Sequence, residues 1–373
     1  MPQNLGVVCG RRRLRRVDDA ERFALLALHA APGLGPKRIQ RLVTCMGSAE
    51  KVLRDPVAAG CAVQPRVLRM PERTFLERGA AEQQIMAKEC GAKTIFLGDA
   101  NYPAAFLDLD EPPTVLHVLG NTDLLSGDRA RTAVIGARAC TPYGKSQAVR
   151  FGKGFGFAGE ILVSGAARGI DQLAMFGALE AEGPVIGVLG SGLDKPYPQE
   201  GIGIMERTVH QGGAIVSEFP FGTGPRAGHF PRRNRLIAAL GRATLVIQAT
   251  KKSGTMNTVD WALGMGREVY ALPGPVDDLA CSGTNRMLAE GAGLALSPEQ
   301  MLCELDRCGT EEDMGKEPQL MQLLLSGDTS ANGLASKSGL AEEQVRMELT
   351  DLELQGRVMR LPDGRYHRCG PRP

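Results

Sequence analysis

Most signatures of a common catalytic or metal centre are missing from this chain of 373 residues. Its nine cysteines form no CxxC pair, and Cys303 and Cys308 lack the second pair or nearby histidines that would complete a zinc site. No two of the five histidines are spaced as metal ligands on one helix. A GxSxG elbow is absent, so α/β-hydrolase chemistry is unsupported. Gly144-Lys145-Ser146 resembles the end of a P-loop, but Ala139 stands where the first glycine is required, and neither ATP binding nor a motor is expected. Gly154-Phe155-Gly156-Phe157-Ala158-Gly159 is a literal GxGxxG that precedes a strand instead of following one. It cannot offer a helix start to a dinucleotide. No apolar run reaches membrane-spanning length. An excess of charge of one sign is missing too: with a net charge of +2, a polyanion must be met by a local patch and not by a global field. A reduced cytoplasmic protein with no metal, cofactor or membrane is expected.

What is present reads as globular, with 43% hydrophobic and 23% charged residues, and the length suggests two or three domains. Residues 1–17 form a basic tail, with Arg11-Arg12-Arg13-Leu14-Arg15-Arg16 and no apolar segment after it to make a secretory signal. Residues 18–90 read as a helical domain. In it, Pro32-Gly33-Leu34-Gly35-Pro36-Lys37 joins two apolar helices in the manner of a helix-hairpin-helix or SAM-like unit. Such a turn either aims N–H groups at a phosphate or packs without a ligand, and both readings stand. Residues 301–317 read as an acidic linker, and 318–368 as three helices and a hairpin, a winged helix.

Between them, in 91–300, short and nearly all-apolar runs alternate with helices: 132–136, 161–164, 185–189, 214–217, 244–248 and 268–272. Continuous apolar strands separated by helices mean a parallel sheet covered on both faces. The fold class is therefore α/β, an extended Rossmann-like, doubly wound and mostly parallel sheet flanked by the helical and winged-helix domains. Ligands of such sheets bind beyond the strands' carboxyl ends. Small and basic residues gather there: Arg138; Ser164, Gly165, Arg168 and Gly169; and Lys251, Ser253, Gly254 and Thr255.

The stretch Phe230-Pro231-Arg232-Arg233-Asn234-Arg235 is expected as a turn-like basic head on an apolar helix through Leu240. Arginines are unfavourable at a helix start unless an anion sits among them, because that end of the dipole is positive. Their donor forks suit phosphate. A single phosphate needs one or two such loops, whereas a nucleic-acid backbone needs several. Few aromatics are available for stacking: Phe230, with Tyr143, Tyr197, Phe219 and Phe221 in neighbouring loops. Phe230 is either a stacking ring or a core one. Asp171 and Glu218 are expected to hold loops or arginines in place.

Tyr102-Pro103, Glu111-Pro112-Pro113, Val134-Ile135-Gly136-Ala137-Arg138, the run from Val163 through Gly165 and Arg168 to Asp171, Gly192 through Lys195 to Pro198, Ser217-Glu218, Phe230 through Ile237, Ser253-Gly254-Thr255 and Pro273-Gly274 come in a consistent order. In this the chain resembles the DNA-processing protein A family, also called Smf. The resemblance implies a non-catalytic homodimer that binds single-stranded DNA in natural transformation, shields it and loads the RecA recombinase. It carries the nucleic-acid pocket onto Arg138, Arg168, Phe230, Arg233, Asn234 and Arg235, with Lys195 and Lys251 as further candidates. Met175 and Gln248 depart from the histidine and glutamate usual in the family.

A rival reading is a nucleotide phosphoribohydrolase-like Rossmann enzyme, with Asp260 near the place of its acid. Lys252-Ser253 replace the paired glycines of such enzymes. The presumed recognition helix of the winged-helix domain, 341–355, carries Glu342, Glu343, Glu348, Asp351 and Glu353 against Arg346 alone. That face would repel phosphates, so protein contact or autoregulation is expected of it.

Overall fold

The computed structural model describes residues 7–9, 12–14, 17–63, 70–127, 129–309, 319–324, 327, 329–354, 358–361 and 364–368. They fall into two units, Met1–Leu302 and Cys303–Pro373. Residues 310–318, which include the last eight of the expected linker, and Arg11, Arg15 and Arg16 of the basic tail lie outside the described residues. The tail's described part is a pair of short antiparallel strands, β1 (Val7–Cys9) and β2 (Arg12–Leu14).

In the first unit α1 (Asp19–Ala30) starts on Asp18, whose carboxylate accepts from the Glu21 N–H at 2.9 Å. α2 (Pro36–Met46) stops at Gly47, in the left-handed region at φ 86°. With α3 (Ala49–Arg54), α4 (Pro56–Val63) and α5 (Arg73–Glu89) they enclose a core of Leu25, Leu28, Ile39, Leu42, Val52 and Leu76. That core continues into Phe96 of β3 (Lys93–Phe96) and Val115 of β4 (Val115–Gly120), so the helical layer is seated on the sheet. His29 and His117 meet at this junction with ring centroids 5.5 Å apart. Burial holds both well below the usual imidazole range, His117 at about 3.

The sheet proper follows as β5 (Arg131–Ile135), α6 (Pro142–Phe157), β6 (Ile161–Ser164), α7 (Ile170–Glu180), β7 (Val185–Leu189), α8 (Ile202–His210), β8 (Ala214–Ser217), α9 (His229–Leu240), β9 (Ala243–Val246), α10 (Met256–Gly264), β10 (Glu268–Ala271), α11 (Ser282–Ala289), β11 (Gly293–Leu294) and α12 (Pro298–Gly309). Nine strands lie in the order β11-β10-β9-β5-β6-β7-β8-β4-β3. All neighbours are parallel except β4, which is antiparallel to both β8 and β3. Strands β6 to β9 are buried along their whole length, which is why they read as unbroken apolar runs. Residues 301–309, assigned to the linker from sequence, are instead the end of α12.

Two glycines of the misleading GxGxxG, Gly154 and Gly156, serve packing. A Cβ on Gly156 would come within 2.8 Å of the Ala178 carbonyl oxygen, and one on Gly154 within 2.3 Å of Pro298. They lie inside α6 and let its neighbours approach closely.

The second unit has a three-stranded sheet, β12-β14-β13, built from Thr329–Ser330, Val358–Arg360 (β13) and Arg365–Arg368 (β14). Against it pack α13 (Gln319–Leu324), α14 (Ala331–Ser338) and α15 (Glu342–Leu354) around Leu320, Leu334, Val345, Leu349 and Val358. This is a winged helix. Arg346 on α15 is ion-paired to Glu342, which leaves that helix's exposed face acidic.

Candidate nucleic-acid interface

Helix α9 begins at His229, so the basic head expected as a turn is helical from its first residue. Successive helical positions point in different directions, and this separates the three arginines. Arg233 turns inward between β6 and β7. It is buried and donates to the carbonyls of Gly165 (2.6 Å) and Val188. Arg232 and Arg235 turn elsewhere and donate to the same oxygen of Glu218, which is 1% exposed; Arg235 also reaches the Glu111 carbonyl at 2.9 Å. The expectation that all three face one anion is therefore corrected. Arg232 and Arg235 neutralise a buried carboxylate, and only Arg233 reaches the rim of the sheet.

A groove of about 830 Å³ runs along that rim. Arg138, Phe230, Arg233 and Asn234 line it together with Ser253, Gly254 and Thr255. A narrower recess of about 130 Å³ adjoins it, lined by Arg138, Gly165, Arg168, Tyr197, Phe230 and Arg233, with the exposed Glu200 as its single carboxylate. Residues from β5, β6, α9 and β9 loops thus meet in one place. Arg138 and Arg168 are exposed, and among the described residues neither forms a salt bridge. The Arg138 guanidinium lies 5.5 Å from the Phe230 ring centroid, and Tyr197 packs on that ring at 5.7 Å.

Local backbone chemistry brings these loops together. Gly169 sits at φ 90°, and a Cβ there would lie 2.4 Å from the Ala137 carbonyl oxygen. That carbonyl accepts from the Ile170 N–H at 3.2 Å, tying the β6 loop to the β5 loop. At Gly165 a Cβ would lie 2.6 Å from the Arg233 guanidinium, which two carbonyls already pin.

Asp171 lies under the β6 loop. One of its oxygens accepts from the Gly165 N–H (3.1 Å) and the Ala167 N–H (3.4 Å). Burial pushes its carboxyl up to about 6, opposed by the Arg233 charge and by those two N–H groups. Burial likewise pushes Arg233 down to about 10, so it keeps its proton at neutral pH. Asp171 and Glu218 thus have the holding roles their strand-end positions suggest.

The Ser253-Gly254-Thr255 corner is closed on itself by Ser253 Oγ, which contacts Thr255 Oγ1 at 2.8 Å and accepts from the Thr255 N–H at 3.2 Å. Nothing lies within 4 Å of a Cβ placed on Gly254, so this side of the groove stays open to an incoming group. Helix α10 starts just beyond, at Met256. Asn234 forms part of the groove wall, and its side-chain oxygen accepts from Arg233 Nε at 3.2 Å.

Other expected residues lie elsewhere. Ser164 is fully buried and donates to the Val134 carbonyl at 2.7 Å. Lys195 and Lys251 are exposed and do not line the groove, while Gly169 lines a neighbouring one. Phe219 and Phe221 are core residues, whereas Phe230 is half-buried, between the two roles weighed for it. Asp260 is exposed on α10 away from the groove lining. Gln248 is buried and uses both ends of its amide on Thr141, accepting from its N–H and donating to its Oγ1, each at 2.9 Å. A glutamate there would lack the donor. Met175 is a core residue. Arg226, in the glycine- and proline-containing segment before α9, also lines the groove. It follows a strand's carboxyl end, the same signal that singled out Arg138. Among the described residues, no group of three or more His, Cys, Asp or Glu side chains could hold a metal ion.

Comparison with known proteins agrees with this layout. The family model described as DNA recombination-mediator protein A matches residues 93–306, and the DprA winged helix domain matches 310–364. Protein Smf of Escherichia coli is 34% identical over 278 residues, 70% of this chain and 74% of its own length. The putative DNA processing protein DprA of Mycobacterium tuberculosis is 31% identical, covering 93% of this chain and 94% of its own. The X-ray structure of DNA processing protein A from Streptococcus pneumoniae superposes with a TM-score of 0.63 at 28% identity, over 78% of this chain and 98% of that one. The Helicobacter pylori protein, whose structure is described as showing a unique single-stranded DNA binding mode, gives 0.52 at 30% identity, over 58% and 96% of the two chains.

Proposed function

The chain belongs to the DNA recombination-mediator protein A family, and from that premise we propose that its rim groove holds single-stranded DNA without reading sequence. In this reading the protein works in the cytoplasm as a homodimer during natural transformation, shielding incoming strands and passing them to the RecA recombinase.

One observation carries the binding assignment. Arg138 and Arg168, from separate loops, border one recess with the half-buried Phe230, and among the described residues neither is ion-paired, not even to Glu200 at the same recess. Free guanidinium groups neutralise phosphates of any sequence, and an aromatic face stacks any base. The single-strand binding described for the Helicobacter pylori relative supports the same choice of ligand. A non-enzymatic role fits the acids nearby: Asp171 is committed to two main-chain N–H groups and Glu218 to two arginines.

Equilibrium binding of a fluorescent single strand and of the matching duplex, with no nucleotide added, tests this. The single strand is expected to bind more tightly, with similar affinity across homopolymers. Equal binding of duplex, or release of free base from nucleoside monophosphates, would contradict it.

A further inference from the structure

A second groove, of about 580 Å³, lies beside the recess and shares Arg138 and Arg168 with it; Arg138 also lines the first groove. Lys145 of α6, Phe176 of α7 and Ile204 of α8 supply much of its wall, and no carboxylate lines it. Phe176 is 40% exposed, in a helix whose other apolar side chains are mostly buried. Its ring is nonetheless held. The Arg207 guanidinium sits 5.7 Å from the ring centroid and is itself fixed by Glu180 (2.8 Å), the Leu179 carbonyl (3.2 Å) and Gln211 (3.2 Å). Because Glu180 is paired to Arg207, it adds no free negative charge to this edge.

We propose that a single strand held in the first groove crosses the ridge of Arg138 and Arg168 into this second one, where Phe176 stacks a base and Lys145 neutralises a phosphate. The inference rests on the single-strand reading above. Three features converge on a nucleic-acid strand as the occupant. Arg138 lines both grooves, and Arg168 joins the recess of the first to the second, so the path is continuous. Three cations line the second groove with no acid. The exposed ring is pre-fixed, which lowers the entropic cost of stacking a base on it.

The test compares strands of about 5 and about 20 nucleotides, lengths short and long against the usual footprint of such sites. In the unchanged protein the longer strand should bind more tightly, by a measurable ratio. Phe176→Ala should shrink that ratio about five-fold or more, and should abolish quenching of 2-aminopurine placed towards one end of the long strand. Lys145→Ala should flatten the salt slope on the long strand by about 0.7. Lys145 is exposed, so its substitution should not move the melting temperature, whereas that of Phe176, 40% exposed and packed on Arg207, should lower it by no more than a few degrees; the unchanged binding of the short strand controls for folding. A ratio and slope equal to those of the unchanged protein would overturn the proposal, as would an equal loss on both lengths. Arg138→Ala separates the two readings, since it should weaken short and long strands alike. If it weakens neither, the first groove is not the binding site.

Discussion

Arg235 donates its guanidinium to Glu218 in the interior, and so a residue that looks like a phosphate ligand in the sequence is a structural cation. Arg232 shares the same carboxylate oxygen, and Glu218's other oxygen has no partner among the described residues. Removing one partner from a buried ion pair leaves a charge uncompensated, at a cost of about 3–5 kcal/mol. Arg235→Ala should therefore lower stability towards urea by about 3 kcal/mol, the remaining Arg232 keeping it at the lower end. The salt slope of DNA binding should stay unchanged. Normal stability with a flatter slope would show that Arg235 contacts phosphate.

Arg138→Ala should behave in the opposite way. Its side chain is exposed, so stability should move by no more than about 0.5 kcal/mol. Affinity for single strands should fall for all sequences alike. Filter binding with homopolymers checks this, and a loss confined to one base would contradict it.

The Phe230 ring centroid lies 5.5 Å from the Arg138 guanidinium and 5.7 Å from the Tyr197 ring. Phe230→Leu keeps most of its apolar bulk but removes the π face. A loss of about 1–3 kcal/mol in single-strand affinity is expected for a stacked base. An unchanged affinity would make the ring a packing residue only.

Asp171 supplies a pH dependence whose sign is fixed by its burial. Its carboxyl is raised from the usual 3.8 to about 6 in the folded chain. The folded state therefore holds this proton more tightly than the unfolded one. The associated stability is fully present below about 3.8 and is lost as pH rises through about 6. Asp171→Asn has no such proton. Between pH 4 and 7 the unchanged protein should lose stability relative to this variant by up to about 3 kcal/mol, measured by urea unfolding at each pH. A constant difference across that range would contradict the assignment.

The strands could be read from the sequence because both faces of β6 to β9 are covered, so that nearly every position is apolar. Residues 293–294 could not be, since β11 has two residues and no pattern to show. Within the candidate site, Arg138 and Arg168 were found by their place after strand ends. The direction of each arginine on α9 was not, because it depends on where β6, β7 and Glu218 stand around the helix. Glu218 and Asp171 are single acids in apolar or glycine-rich stretches. Only the assembled sheet reveals that the first holds Arg232 and Arg235, and that the second secures the Gly165 loop.

The salt dependence of single-strand affinity, measured side by side for the unchanged protein, Arg138→Ala and Arg168→Ala, is the most direct measurement. If about four phosphates are neutralised, log affinity should fall against log salt with a slope near −3, and each substitution should flatten it by about 0.7. The same slope in all three proteins, or none in any, would contradict phosphate capture by these two arginines.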